Sequence, residues 1–185
     1  MLSRIALGYN TLEGLAAIVA GAIAGSVSLT GFGIDSLIEV TSSGAALWRL
    51  RSDHDARQRE GSERISRRII GVCFIALAVY IAWDAGRSLW LRDHPQRTIL
   101  GIVISALSVV IMPMLARRKR KVAIGLGSRA LEADAKQTDL CMYLSSIVLG
   151  GLLLNALFGW WWADPVAALI MVPIIAKEGV EGLRV

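Results

Sequence analysis

The sequence predicts an all-α membrane protein of six transmembrane helices with both termini cytoplasmic. Three observations carry this. Of the 185 residues, 55% are hydrophobic, and mean hydropathy is +0.56, too apolar for a soluble single domain of this size. Six stretches reach the roughly 17–25 residues that a helix needs to span hydrocarbon. Basic residues crowd onto alternate connections, as they do on cytoplasmic loops.

The first stretch, 5–26, holds Asn10 and Glu13 and leads directly into more spans, so it reads as a retained helix and not a cleaved signal. The second is 28–49. The connection after it carries Arg49, Arg51, Arg57, Arg59, Arg64, Arg67 and Arg68, which places it inside, as a short loop or a helical extension of the second and third spans. The third span is 67–90 and the fourth 98–116. Arg117, Arg118, Lys119, Arg120, Lys121 and Arg129 follow as the next inner loop, whereas the opposite side offers only Arg87, Arg92 and Arg97. The fifth span is 128–156 and the sixth 162–180, where Pro165 suits a helical first turn. Trp160, Trp161 and Trp162 fall between them at the outer interface, where aromatic rings are favoured.

These spans leave no soluble domain, so residues 1–185 are expected to form a single transmembrane domain. The net charge of +5 is accounted for by topology, with no nucleic-acid partner, and the RRKRK run at most also meets anionic headgroups. Cys73 and Cys141 lie within helices and are expected as free thiols.

Asp35 and Glu39 are the costliest residues in this scheme. They sit four apart in a helix that is otherwise apolar or small, and each acid near the bilayer centre costs about 2.5–3.5 kcal/mol on the lenient insertion scale. At i and i+4 they share one helical face and can converge on one cation or relay protons. With Ser26 and Ser128 taken as equivalent, helices two and five also align: Leu29 meets Leu131, Ser43 meets Ser145, Asp35 falls opposite Gln137 and Glu39 opposite Cys141. Small residues recur in membrane helices for packing alone; the sharper reading is one metal site built from two facing helices.

On these residues the chain resembles the cation diffusion facilitator family of divalent-metal exporters over nearly its whole length. In SVSLTGFGIDSLIEVTSS the matches to the family's second helix are Ser26, Leu29, Asp35, Ser36, Glu39, Ser42 and Ser43. In SRALEADAKQTDLCMYLS they are Ser128, Ala130, Leu131, Ala133, Asp134, Ala135 and Ser145, and the sixth helix adds Trp162, Asp164 and Pro165. The resemblance implies a bundle like that family's transmembrane domain, lacking its C-terminal cytoplasmic domain. It also implies a metal site at Asp35, Glu39, Gln137 and Cys141. Relatives place His and Asp where Gln137 and Cys141 stand, so the expected shell is two carboxylates, an amide oxygen and a thiolate, suited to zinc, cobalt, iron or cadmium. Asp134 is expected as a further ligand or supporting group, and Glu13 either as an extra carboxylate near the site or as a hydrated or paired group near the cytoplasmic end.

Other polar residues have plainer expectations. Asp139 lies about 200° around the helix from Gln137 or Cys141 and is assigned to a neutralising network with Glu132 and Lys136. Asp53, His54 and Asp55 read as a charged inner loop, with peripheral metal binding the weaker alternative. His94 is expected to be solvated, and Asp84 and Arg87 to pair across one turn.

The resemblance implies a divalent-cation exporter working by alternating access with proton antiport, since carboxylates bind either metal or protons. The sequence shows neither a phosphate-binding G-x-x-x-x-G-K-[ST] loop nor an H-E-x-x-H zinc segment, so an enzyme is not expected. No cofactor is expected to be permanently bound; the metal is substrate. The expected setting is an integral multi-pass protein of the cell (inner) membrane, working as a homodimer held by membrane helices. The alternative is a non-transporting membrane sensor or subunit with a degenerate site.

Overall fold

The computed structural model describes residues 2–51, 56–126 and 129–184, and these form six helices. They are α1 (Leu2–Ala24), α2 (Val27–Arg51), α3 (Ala56–Leu91), α4 (Ile99–Leu126), α5 (Arg129–Phe158) and α6 (Ala163–Leu183). The loop at Asp53, His54 and Asp55 and the position of Ser128 lie outside the described residues. The protein is an integral multi-pass membrane protein. The segments Leu7–Ala24, Arg67–Leu91, Ile99–Gly125 and Asp134–Phe158 are long and apolar enough to cross a membrane by themselves. Helix α2 carries serines, glycines and two acids among its apolar residues, and α6 is apolar apart from Asp164, Lys177, Glu178 and Glu181.

Two helices overrun the expected boundaries. The α3 helix begins at Ala56, and α4 continues to Leu126 through the whole RRKRK run. The start of α3 at Ala56 agrees with a helical extension of the span; at 117–121 a loop is expected, yet Lys and Arg are good helix formers and nothing there breaks the backbone ladder. The consequence is large for Lys119. Ser105, Ser108, Met112, Ala116, Lys119 and Ala123 form one buried stripe at steps of three and four, so the helix carries the lysine inward.

The helices pack chiefly as α1 with α2, α3 with α6 and α4 with α5, and α2 also touches α3, α5 and α6. That centrality explains why α2 is buried nearly all round, from Phe32 to Glu39, with its acids inside. Close approach depends on glycine. A Cβ on Gly33 would lie 2.7 Å from the Ile18 backbone nitrogen and 2.8 Å from the Gly14 carbonyl, and one on Gly71 would lie 2.8 Å from the Gly179 carbonyl. The outer surface carries exposed Leu12, Val19, Val79, Trp83, Val103 and Val110, as a lipid-facing shell requires.

One contact sets where α2 begins. Asp164, fully buried in α6, accepts from Ser26 Oγ (2.6 Å), Ser28 Oγ (2.5 Å) and the Val27 backbone N–H (2.9 Å). Ser26 Oγ also accepts from the Leu29 N–H (3.2 Å), capping the helix within its own chain segment. Carboxylate and serine together satisfy N–H groups that would otherwise be bare at a buried helix start. Nearby, Gly25 adopts φ 65° to turn the chain from α1 into α2, and Asn155 Nδ2 donates to the Pro95 carbonyl (3.0 Å) to fasten the α3–α4 connection.

Asp164→Ala should therefore lower stability by about 3 kcal/mol, because three donors lose a charged acceptor, read as a fall in melting temperature of the purified protein. Gly33→Ala should cost about 1–3 kcal/mol by overpacking against backbone. Gly44→Ala, where a Cβ meets nothing within 4 Å, should be neutral or stabilising by up to about 1 kcal/mol.

Candidate metal centre

The centre lies where α2 crosses α5. Ser36 Oγ and Cys141 Sγ are 3.9 Å apart, Thr138 Oγ1 donates to Glu39 Oε1 (2.6 Å), and Ser43 Oγ donates to Asp134 Oδ1 (2.5 Å). Steps of three and four along α2 are matched by equal steps back along α5, so the two helices run antiparallel with polar faces opposed. The structure thus brings the expected faces together, but with Thr138 opposite Glu39, Asp134 opposite Ser43, and Cys141 level with Asp35 and Ser36.

Lys119 enters this crossing from α4. Its Nζ lies 3.0 Å from Asp134 Oδ2 and 3.4 Å from Glu39 Oε1, donates to Thr138 Oγ1 at 2.8 Å, and stands 3.4 Å from Ser43 Oγ. Lysine, Glu39 and Asp134 are exposed by no more than 5% in their side chains. A buried positive charge between two buried negative ones, with hydroxyls filling the remaining bonds, is the arrangement that makes such charges tolerable. The sequence reading assigned Lys119 to an inner loop and so missed it; the signal was the step from Ala116 along the buried stripe of α4. Thr138 was missed as well, four residues beyond Asp134 on the same face.

Above this cluster the carboxylates are less satisfied. Tyr9 Oη donates to Glu13 Oε1 (2.9 Å), and the Ser36 and Ser108 hydroxyls border Glu13. Asp35 lies within electrostatic reach of Glu13 and Glu39 and beside the Cys141 thiol. Ser145 Oγ donates to the Cys141 carbonyl (2.5 Å) and rests 2.8 Å from Ser108 Oγ. Among the described residues, Asp35 Oδ2, Glu39 Oε2, Glu13 Oε2 and both polar atoms of the Asn10 amide are buried without a hydrogen-bond partner. Such atoms are costly to leave bare. Also among the described residues, no three His, Cys, Asp or Glu side chains are gathered closely enough to hold an ion.

Gln137 is buried on α5 between the turns of Asp134 and Cys141. It lines a cavity of about 440 Å³ at the basic end of the bundle, with Ser42, Arg67, Glu132, Lys136 and Glu178. At the tryptophan end a second cavity of about 310 Å³ is lined by Thr30, Tyr80, Asp84, Arg87, Ser88 and His94, among others. The polar core of α2 therefore lies between a vestibule at each end.

Several side expectations are revised. Asp139 pairs with Arg120, which the continued α4 brings alongside α5, while Glu132 and Lys136, expected with it from their shared helical face, line the basic-end cavity. Among the described residues no ion pair joins Asp84 to Arg87, and Asp84 instead faces Tyr80 Oη at 3.5 Å. His94 is exposed, as expected, and tilts against Trp161 with ring centroids 5.3 Å apart. Both cysteines are free, Cys141 buried and Cys73 exposed.

Residues 3–184 match the family described as the cation efflux transmembrane domain. The chain is 25% identical over 95% of its length to the cation-efflux pump FieF of Shewanella oneidensis, covering 60% of that protein. It is 30% identical over 93% of its length to an uncharacterized transporter of Methanocaldococcus jannaschii, covering 62%. It is 25% identical over 97% of its length to transmembrane protein 163 of Xenopus laevis, covering 64%. The chain thus spans about three-fifths of the length of these relatives.

Thr138→Val should cost about 1–3 kcal/mol, because the isosteric change removes a hydroxyl bonded to both Glu39 and Lys119 and leaves those charged groups short of a partner. Ser146→Ala, which removes only an exposed intrahelical bond to the Met142 carbonyl, should stay within about 0.5 kcal/mol. Thermal melts of the two variants in detergent check the contrast.

Proposed function

The chain belongs to the cation efflux family, whose members are transporters and not enzymes, and on that premise we propose that it moves a divalent transition-metal cation such as zinc, cobalt or iron across the membrane. The observation that carries the reading is the pair of bare carboxylate oxygens, Asp35 Oδ2 and Glu39 Oε2, one turn apart on the most enclosed helix of the bundle. Oxygens left without partners in a low-dielectric interior attract a cation strongly. Asp35 and Glu39 are the proposed primary ligands, with Cys141 the nearest soft donor on α5. Gln137, Asp134 and Glu13 act around them: Gln137 at the mouth of the basic-end cavity, Asp134 through Lys119, and Glu13 beside Asp35.

Transport proceeds by alternating access, with the polar centre opened in turn to the basic-end and tryptophan-end cavities. Protons are the proposed counter-ion, since a carboxylate that releases metal is free to take one. The basic end is cytoplasmic by the distribution of Lys and Arg, so export runs from that end outward, and the working unit is a homodimer in the lipid bilayer. A second reading has its own support. Lys119 already neutralises Glu39 and Asp134, an arrangement suited to a non-transporting sensor or subunit that keeps the fold with a blocked site.

Flux of zinc, cobalt and iron into liposomes containing the purified protein separates the two. Transport of one of these ions, lost by at least about tenfold when Asp35 and Glu39 are both changed to Ala, is the expected result; a tenfold loss corresponds to about 1.4 kcal/mol of lost stabilisation. Undiminished flux in that variant sinks the ligand assignment, and no flux across the three metals favours the sensor or subunit.

A further inference from the structure

We infer that the Lys119 ammonium is a cation built into the site, which competes with the divalent ion for Glu39 and has Asp134 as the seat to which it withdraws. The inference rests on the proposed reading of Asp35 and Glu39 as cation ligands. Four observations carry it. Lys119 is buried at 4% exposure and reaches carboxylates on two different helices. It sits closer to Asp134 (3.0 Å) than to Glu39 (3.4 Å), so the bond to Glu39 is the longer of the two. It holds one oxygen of Glu39 only, and the other has no partner. Thr138 Oγ1 bonds both Lys119 Nζ and Glu39 Oε1 (2.8 and 2.6 Å), so Glu39 keeps a neutral donor if the lysine leaves.

Charge then dictates the exchange. A divalent ion held by Asp35 and Glu39 would lie within a few ångströms of an ammonium, and like charges at about 4 Å repel strongly where solvent is excluded. Withdrawal toward Asp134 relieves that repulsion without exposing the lysine, since Ser43 Oγ already bridges the two groups. The tethered charge keeps Glu39 partly compensated when no ion is present, and it weakens the hold on the ion when one is. A transporter gains from this, because an ion bound too tightly is not released. Lys119 is thus a positioning residue that sets affinity through Glu39.

The test uses the full chain, with zinc(II) as the probe, and reads both equilibrium binding by calorimetry and uptake into liposomes. Lys119→Met alone leaves two buried acids uncompensated, and removing one partner of a buried pair is strongly destabilising, so the working variant is Lys119→Met combined with Asp134→Asn. It should bind zinc about tenfold more tightly and show a lower KM together with a lower kcat, as expected when a repelling charge near the ion is removed. Lys119→Arg, which keeps the charge, should hold Kd and KM near the wild-type values. A purely structural lysine predicts lowered melting temperature with unchanged Kd in both variants, and that result overturns the inference. Zinc binding weakened in the double variant, or undetectable in every variant, also overturns it. If wild-type protein transports zinc and Kd does not move, the inference alone fails; if no protein transports but the double variant binds more tightly, the transport reading fails and the competition stands.

Discussion

Compensation of carboxylates where water is absent is the constraint around which this bundle is organised. The described spans hold Glu13, Asp35, Glu39, Asp134 and Asp164 at 5% exposure or less, and each must find a donor, a cation or a cost. Lys119 answers for two of them at once. By bonding Glu39 of α2 and Asp134 of α5 from α4, it ties three helices at one point. The tie explains why α4 must continue helical through a run of basic residues instead of ending at the membrane surface.

Asp164 does the same work at the other end of α2, with hydroxyls and a backbone N–H in place of a lysine. The central helix is therefore held near both its ends, by neutral donors at the tryptophan end and by a charge toward the basic end. Between the two anchors lies Asp35, beside the Cys141 thiol and with its Oδ2 bare. Bare oxygens gather around this middle segment, on Asp35, on the unpaired side of Glu39 and on Glu13 of the neighbouring α1. Stability is secured away from the centre, and the centre is left with bare oxygens, the division that the proposed ion site would require.

Much of this was legible in the residues, and the rest was hidden for definite reasons. Six spans followed from length and hydropathy, which are local properties. That Asp35 and Glu39 turn inward followed from their cost in lipid, and Asp164 and Ser26 showed as matched motif positions without a reason attached; the clamp between α6 and α2 supplies it. Lys119 was hidden because five consecutive cations look alike, and only the angular position of a side chain on α4 tells which one faces inward. Thr138 was hidden because a hydroxyl costs little in a membrane helix and so draws no attention. Gln137 was matched to Asp35 by register along the chain, but antiparallel packing turns it to a cavity and puts Thr138 opposite Glu39 instead.

By itself the sequence determined the class, the membrane setting and which helix carries the costly acids, because hydrophobic length, charge asymmetry and the price of a buried carboxylate need no knowledge of neighbours. Only the tertiary structure decided which acids are compensated and by whom. That depends on distances between groups 19 to 138 residues apart in the chain, and charges in a low-dielectric interior respond to a few ångströms that no pattern along one helix encodes.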